Sequence, residues 1–204
     1  MYYARGVRVA IAILLATGTT IARAEDRPDD FVEVSAAIPD AVIDIRYATK
    51  DNFTGEVLYP KAVCKLRRAV VERLVTAAAV LRKQDRRLLV WDCYRPLSIQ
   101  KILWKRVPDP RYVADPKQGS RHNRGAAIDV AVVDKDGKAV ALPTKFDEFT
   151  KAAHRKTALK GKPGVEAKRL SDAMTAAGFA PMPTEWWHFD APESANYAIS
   201  DEPL

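Results

Sequence analysis

Two short segments carry side chains whose types and spacing could perform hydrolytic chemistry. The first is Ser120-Arg121-His122-Asn123-Arg124-Gly125-Ala126-Ala127-Ile128-Asp129, which sets an imidazole and a carboxylate on either side of a glycine. The second is Glu185-Trp186-Trp187-His188-Phe189-Asp190. Together they offer His122, Asp129 and His188 as three protein ligands for one zinc ion, with a fourth position left to water. Catalytic zinc sites have that form, whereas structural ones are closed by four protein ligands, usually rich in cysteine. Glu185 is then the candidate base for the water proton. Each half alone carries little, because Asp often opens a strand and a Trp-Trp-His-Phe run usually packs a core. The combination carries more: the chain has three histidines, and two of them fall in segments flanked by carboxylates.

These groups need elements that bring them together. The run Ile128-Asp129-Val130-Ala131-Val132-Val133 reads as a buried strand, so Asp129 stands near the start of a rigid element. His122 precedes it in a polar loop that Gly125 allows to bend sharply. Side chains three apart on a regular strand point to opposite faces. Glu185 therefore belongs to a turn after Pro181 and Pro183, with His188 inside the strand that follows. Further strands are expected over 31–34, 42–45 and 87–91. Val63, Leu66, Val70, Leu74, Ala77, Ala78 and Leu81 recur at helical spacing and predict a helix over 62–84. A second helix is expected over 97–106, stopped by Pro108 and Pro110. Asp134-Lys135-Asp136-Gly137 reads as a hairpin turn into a strand over 138–142. A third helix is expected over 165–177 with Gly178 just past its end, and a last strand over 187–189. The fold class is α+β: one domain, helices packed on a small, mostly antiparallel sheet that carries the site.

At 204 residues the chain has enough interior for a sizeable core. Its start differs from the rest: Arg5 and Arg8 precede the apolar run from Val9 to Ala16, and Ala22-Arg23-Ala24 has a small-x-small cleavage pattern. This predicts a secretory signal peptide over 1–24 and a mature domain over 25–204, exported to the periplasm. The apolar run is short for a bilayer span of about 20 residues, so no stable membrane insertion is expected after cleavage. The full chain carries 33 Lys+Arg against 26 Asp+Glu, net +7; without Arg5, Arg8 and Arg23 the balance is 30 against 26, or +4. That excess is scattered. Lys65, Arg67, Arg68 and Arg73 fall on a predicted helix, and Lys151, Arg155, Lys156, Lys160 and Lys162 around a loop, both read as solvated faces. No basic stripe or stacking motif suggests a nucleic-acid partner. Cys64 and Cys93 are the only cysteines, and an even pair in an exported chain predicts a disulfide between them.

The pattern Ser120-x-His122-x-x-Gly125-x-Ala127-x-Asp129 followed by Glu185-Trp186-Trp187-His188 resembles the D-alanyl-D-alanine dipeptidases of the vancomycin-resistance type. These are zinc peptidases related to D,D-carboxypeptidases. Tyr47-Ala48-Thr49-Lys50-Asp51-Asn52-Phe53-Thr54-Gly55, Trp91-Asp92-Cys93-Tyr94-Arg95-Pro96 and Phe146-Asp147 extend the likeness in the family's order. The resemblance implies the same α+β fold and one zinc per chain. It also implies oxyanion stabilisation by Arg95 and an ammonium partner in Asp147, with Tyr47 and Ser120 hydrogen-bonding the substrate's termini. Bland alternatives are a surface Arg95 paired with Asp92 and an Asp147 at a helix N-terminus. His154 matches no ligand position and is expected to be surface or structural. The implied activity is hydrolysis of the small dipeptide D-Ala-D-Ala in cell-wall turnover. Alternatives are a D,D-carboxypeptidase or peptidoglycan endopeptidase of the same superfamily, or a non-catalytic zinc-stabilised wall-binding domain. Asp147 favours the dipeptidase, and Glu185 with Arg95 argues against the non-catalytic domain.

Overall fold

The computed structural model describes Met1, Arg27 and residues 29–204. The expected signal peptide, beyond Met1, and its cleavage point lie outside the described residues. Among those residues no helix is long and apolar enough to cross a membrane. In chain order the elements are β1 (Phe31–Glu33), α1 (Val34–Ala37), β2 (Val42–Ile43), β3 (Lys65–Arg67), α2 (Arg68–Arg82), β4 (Arg86–Asp92), α3 (Leu97–Arg106), β5 (Ala127–Asp134), α4 (Arg155–Ala158), α5 (Gly161–Ala176), β6 (Ala180–Pro181) and β7 (His188–Asp190). The main sheet has the order β2-β4-β5-β7-β6, and a separate ribbon joins β1 to β3. Among the described residues only the β2–β4 pair is parallel; the other pairs run antiparallel. The expected α+β class, with helices on a mostly antiparallel sheet, is what forms.

Burial explains why these segments take these forms. In α2 the residues Val70, Leu74, Ala77, Ala78 and Leu81 are buried at spacings of three and four, which places them on one stripe. That stripe packs on α5 and β4. Full burial of a Val or Leu side chain is worth roughly 1.5–3 kcal/mol, so this stripe holds α2 against the sheet. In α5, Ala167, Leu170, Ala173 and Met174 are buried in the same rhythm. Gly178 ends the helix with φ of 88°. Its N–H bonds to Thr175 O at 2.9 Å and Phe179 N–H to Met174 O at 3.0 Å, the paired bonds of a Schellman cap. The helix over 97–106 forms as expected.

The structure corrects three other expectations. The helix expected over 62–84 begins only at Arg68, because Lys65–Arg67 pairs with β1 instead. Cys64 is bonded to Cys93, which pins that stretch as extended chain beside the end of β4. Lys65 and Arg67 are therefore strand residues, and Arg67 is not solvated. Its guanidinium lies 3.9 Å from the Phe31 ring and bonds Asp29 O and Arg124 O. The turn at Asp134 to Gly137 forms, with Asp134 N–H bonded to Lys138 O at 3.0 Å, but the strand expected over 138–142 reduces to a single bridge, Val133 to Ala139. The short elements α4 and β6 had no signal of their own.

Candidate active site

Three neighbouring strands set the site. Asp129 on β5 is in register with His188 on β7 and with Asp92 on β4, so the three side chains form a row across the sheet. Residues opposite one another across a pair share a face. The β4 partner of Asp129 is Asp92 rather than Trp91 because the register shifts between Val90 and Asp92. Such an extra residue re-aims side chains next to active sites. His122 enters from a 3-10 turn, His122–Arg124, that Gly125 ends in the left-handed region at φ 67°. A Cβ on Gly125 would lie 2.4 Å from Phe31 Cε1, so the bend requires glycine both for its φ and for its space.

The three ligand candidates are almost fully buried, at 2%, 3% and 8% exposure for His122, Asp129 and His188. One donor atom from each lies within 4.8 Å of the others, a group that could hold a metal ion. His122 Nε2 is 3.2 Å from His188 Nδ1, and Asp129 Oδ1 is 2.9 Å from His188 Nδ1. The far nitrogens are also committed. His122 Nδ1 donates to Cys93 O at 2.7 Å and His188 Nε2 to Asp190 Oδ1 at 2.9 Å. Those bonds commit the far nitrogens as donors, so that the near nitrogens, once free of their protons, point lone pairs to one place, the arrangement a bound cation needs. The donor set therefore fits a divalent metal.

Glu185 lies in the turn before β7, as the strand parity requires, and its Oε2 is 3.9 Å from His188 Nδ1. Burial raises its carboxyl to about 7, with the nearby imidazole of His188 opposing and Asp129 reinforcing the shift. Burial resists charge on His188 too, but the bonds to Asp129 and Asp190 outweigh it and lift the imidazole to about 10. Asp129 is lowered despite its burial, chiefly by the two imidazoles. A cation at this point would displace the imidazole protons and favour ionised Glu185.

Arg95 is buried, at 7% exposure, and is not the surface arginine of the bland alternative, although it does pair with Asp92. Its Nε and Nη2 donate to Asp92 Oδ2 at 3.0 and 2.6 Å, and Nη1 donates to Gln100 Oε1 at 2.9 Å. Asp92 in turn accepts from the Tyr59 hydroxyl at 2.7 Å, and Gln100 Nε2 donates to Ala114 O at 2.7 Å. The guanidinium is thus held from Tyr59 on one side to the 114 loop on the other, while two of its five N–H bonds have no partner among the described residues. Asp147 begins no helix. It sits at φ 56°, an uncommon conformation for a non-glycine residue, and Phe146 beside it is wedged between Tyr47, Trp91 and Trp187. Its Oδ2 accepts from the Tyr47 hydroxyl at 3.0 Å. Burial raises its carboxyl well above the usual range, aided by Asp129 and Glu185 and opposed by Arg95 and Tyr47.

All of the expected site residues except the cysteines line one cavity of about 500 Å³. Ser120 sits at its edge, its Oγ accepting from His122 N–H at 3.2 Å. His154 stands at the N-terminus of α4, outside this cavity. Tyr59, Gln100, Asp190 and Asn123, whose Nδ2 donates to Arg95 O at 2.7 Å, are supports with no signal in the sequence, and Arg155 differs from its expected place. Arg155 is no solvated residue. Its side chain bonds five groups in the chain's own interior, and burial lowers it to about 10.

Comparison with known proteins bears on the same stretch of chain. The profile of the D-ala-D-ala dipeptidase family matches residues 27–202. The chain is 34% identical over 172 residues to the D-alanyl-D-alanine dipeptidase of Escherichia coli (strain K12), covering 83% of this chain and 89% of that one. It is 30% identical to the D-alanyl-D-alanine dipeptidase of Enterococcus faecium, over 78% of this chain and 86% of that one. The Streptomyces coelicolor D-alanyl-D-alanine dipeptidase is 29% identical, over 80% and 92%.

Proposed function

The chain belongs to the D-ala-D-ala dipeptidase family of peptidases, and from that premise we propose that it hydrolyses D-Ala-D-Ala to two D-alanines at a zinc site held by His122, Asp129 and His188. The observation that carries the reading is that this cluster shares one cavity with Glu185, Arg95 and Asp147. When bound, zinc supplies a Lewis acid that acidifies water and polarises the scissile carbonyl. Glu185 takes the proton of the attacking water and returns it to the leaving amine. The uncommitted N–H bonds of Arg95 stabilise the charge that develops on the carbonyl oxygen, and because Asp92 and Gln100 already orient the group, little reorganisation is needed. Asp147 and Tyr47 receive the dipeptide's ammonium, and Ser120 bonds a substrate terminus at the cavity edge.

A free dipeptide brings a positive charge that ionises Asp147 and pairs with it. A longer peptide brings a neutral amide and leaves that carboxyl poorly matched. The proposal extends to export. A signal peptide over 1–24 would send the domain over 25–204 to the periplasm, where the Cys64–Cys93 disulfide is stable and wall fragments are available. The test is hydrolysis of D-Ala-D-Ala and of its N-acetyl form, each with and without a chelator. Chelator-sensitive cleavage strongly favouring the free dipeptide is expected. Equal cleavage of the two would replace the dipeptidase reading with the carboxypeptidase one.

A further inference from the structure

Glu185 and His188 both face the cavity from positions three apart, which a regular strand forbids and the turn over 185–187 permits. A turn of that kind has carbonyls that no ladder satisfies, and buried ones need partners. Backbone N–H groups reach Glu185 O (from His188, 3.4 Å) and His188 O (from Met182, 3.1 Å), and Arg155 adds donors to these and to two more. Its Nε donates to Met182 O at 3.1 Å, and its Nη2 group is shared among Glu185 O at 3.2 Å, Trp186 O at 3.0 Å and His188 O at 3.2 Å. Nη1 donates to Ser171 Oγ at 3.1 Å, which anchors the group to α5. The guanidinium plane lies over the Phe189 ring, 4.6 Å from its centroid. Two backbone bonds fasten the same segments together, Arg155 N–H to Pro183 O at 2.9 Å and Trp186 N–H to Ala153 O at 3.1 Å. Among the described residues no carboxylate pairs with Arg155. Its donors go to main-chain carbonyls of the turn that carries the base and a ligand, together with one serine.

We infer that Arg155 is a positioning residue for the reaction: it moulds the 182–189 turn around its guanidinium and so sets where Glu185 and His188 stand relative to one another. The planar fork is what the task requires. A lysine ammonium is a point donor on a flexible stem and cannot reach from Met182 O to Ser171 Oγ at once. Removing the group leaves Met182 O and Trp186 O to find other partners and takes one donor each from Glu185 O and His188 O, which keep the His188 and Met182 N–H groups, and the turn then relaxes. Displacements on the order of 1 Å at a catalytic group cost about 10²-fold in rate. Loss of a group that orients a ligand costs roughly 10–100-fold in metal affinity.

The inference rests on the proposed zinc site, so the test includes a readout that needs no substrate. Unmodified protein, R155M and R155K are loaded with cobalt, and the visible ligand-field spectrum and the affinity in chelator competition are compared. Turnover of D-Ala-D-Ala by the zinc-loaded forms follows, well below each melting temperature. The expected result for R155M is an altered spectrum, metal binding weaker by about tenfold or more, and kcat lower by about 10²-fold with little change in KM. R155K should fall between R155M and the unmodified protein. A lowered melting temperature with spectrum, affinity and kcat unchanged would show Arg155 to be merely structural and overturn the inference. If R155M fails to fold, R155K decides alone by the same criteria. Unmodified protein that binds cobalt but leaves D-Ala-D-Ala intact would sink the proposed activity, and the spectral comparison would still judge Arg155.

Discussion

Glutamine at position 185 keeps the shape of the side chain and removes only its capacity to take up a proton. E185Q should therefore retain one zinc per chain, measured by elemental analysis, while turnover falls by ~10²–10⁴-fold. Near-normal turnover would take the base role away from Glu185. D147N tests the other end of the cavity. Charge-assisted hydrogen bonds contribute ~1.5–3 kcal/mol, so kcat/KM for the free dipeptide should fall by roughly that amount and the gap to the N-acetyl substrate should narrow. The candidate residues for the reaction were legible because hydrolysis on a metal needs few side-chain types, and His122, Asp129, Glu185 and His188 are all of those types. Their supports were not legible. Gln100, Asp190 and Arg155 carry ordinary side chains whose partners are fixed only by folding, and four of the five groups bonded by Arg155 are backbone carbonyls that have no sequence identity at all.

Where segments are bounded by backbone chemistry, the sequence located the elements well. Pro96 starts α3 by fixing the chain just before Leu97, and Gly178 stops α5 by accepting a left-handed φ. The start of α2 was misplaced because Val63 and Leu66 keep the helical phase, while the tie from Cys64 to Cys93 and the pairing with β1 decide otherwise. Between elements, α5 is clamped to β4 by Glu166, whose carboxylate accepts from Arg86 Nε at 2.8 Å and Nη2 at 2.7 Å, with Arg169 alongside at 3.2 Å. The Arg86 bonds hold the Glu166 carboxyl below its ordinary 4.5. A lowered folded-state value means that the stabilisation is fully present above about pH 4.5 and is lost as pH falls through the folded value. E166Q should thus be less stable than the unmodified protein at pH 7, by about 1–2 kcal/mol for a pair intermediate between surface and buried. The difference should shrink in acid, as read from urea midpoints at pH 7 and pH 3. A difference that stays constant with pH would rule out the charge as its source.

Across the whole molecule, the Cys64–Cys93 bond closes a span of 29 positions, and Cys93 O also receives the His122 Nδ1 proton. A C64S/C93S double variant should lose roughly 3–4 kcal/mol in the chain-entropy model, checked by chemical denaturation. It should also bind metal more weakly if the carbonyl shifts. An unchanged denaturation midpoint would mean that the bond closes a loop already ordered without it. The order β2-β4-β5-β7-β6 places β5 in the middle of the sheet, with every residue from Ala127 to Val133 buried. Hydrogen exchange in deuterated water follows local opening, and central strands open last, often only with the entire molecule. The amides of Val130 to Val132 should accordingly take up deuterium at the global unfolding rate, whereas those of β2 and β6 at the margins should exchange much earlier. Because Asp129 belongs to β5 and its partners Asp92 and His188 to the adjoining strands, warming has no partly melted form to populate in which the margins hold and the centre has let go. Near the melting temperature, activity would then never exceed the fraction of chains whose β5 amides remain protected.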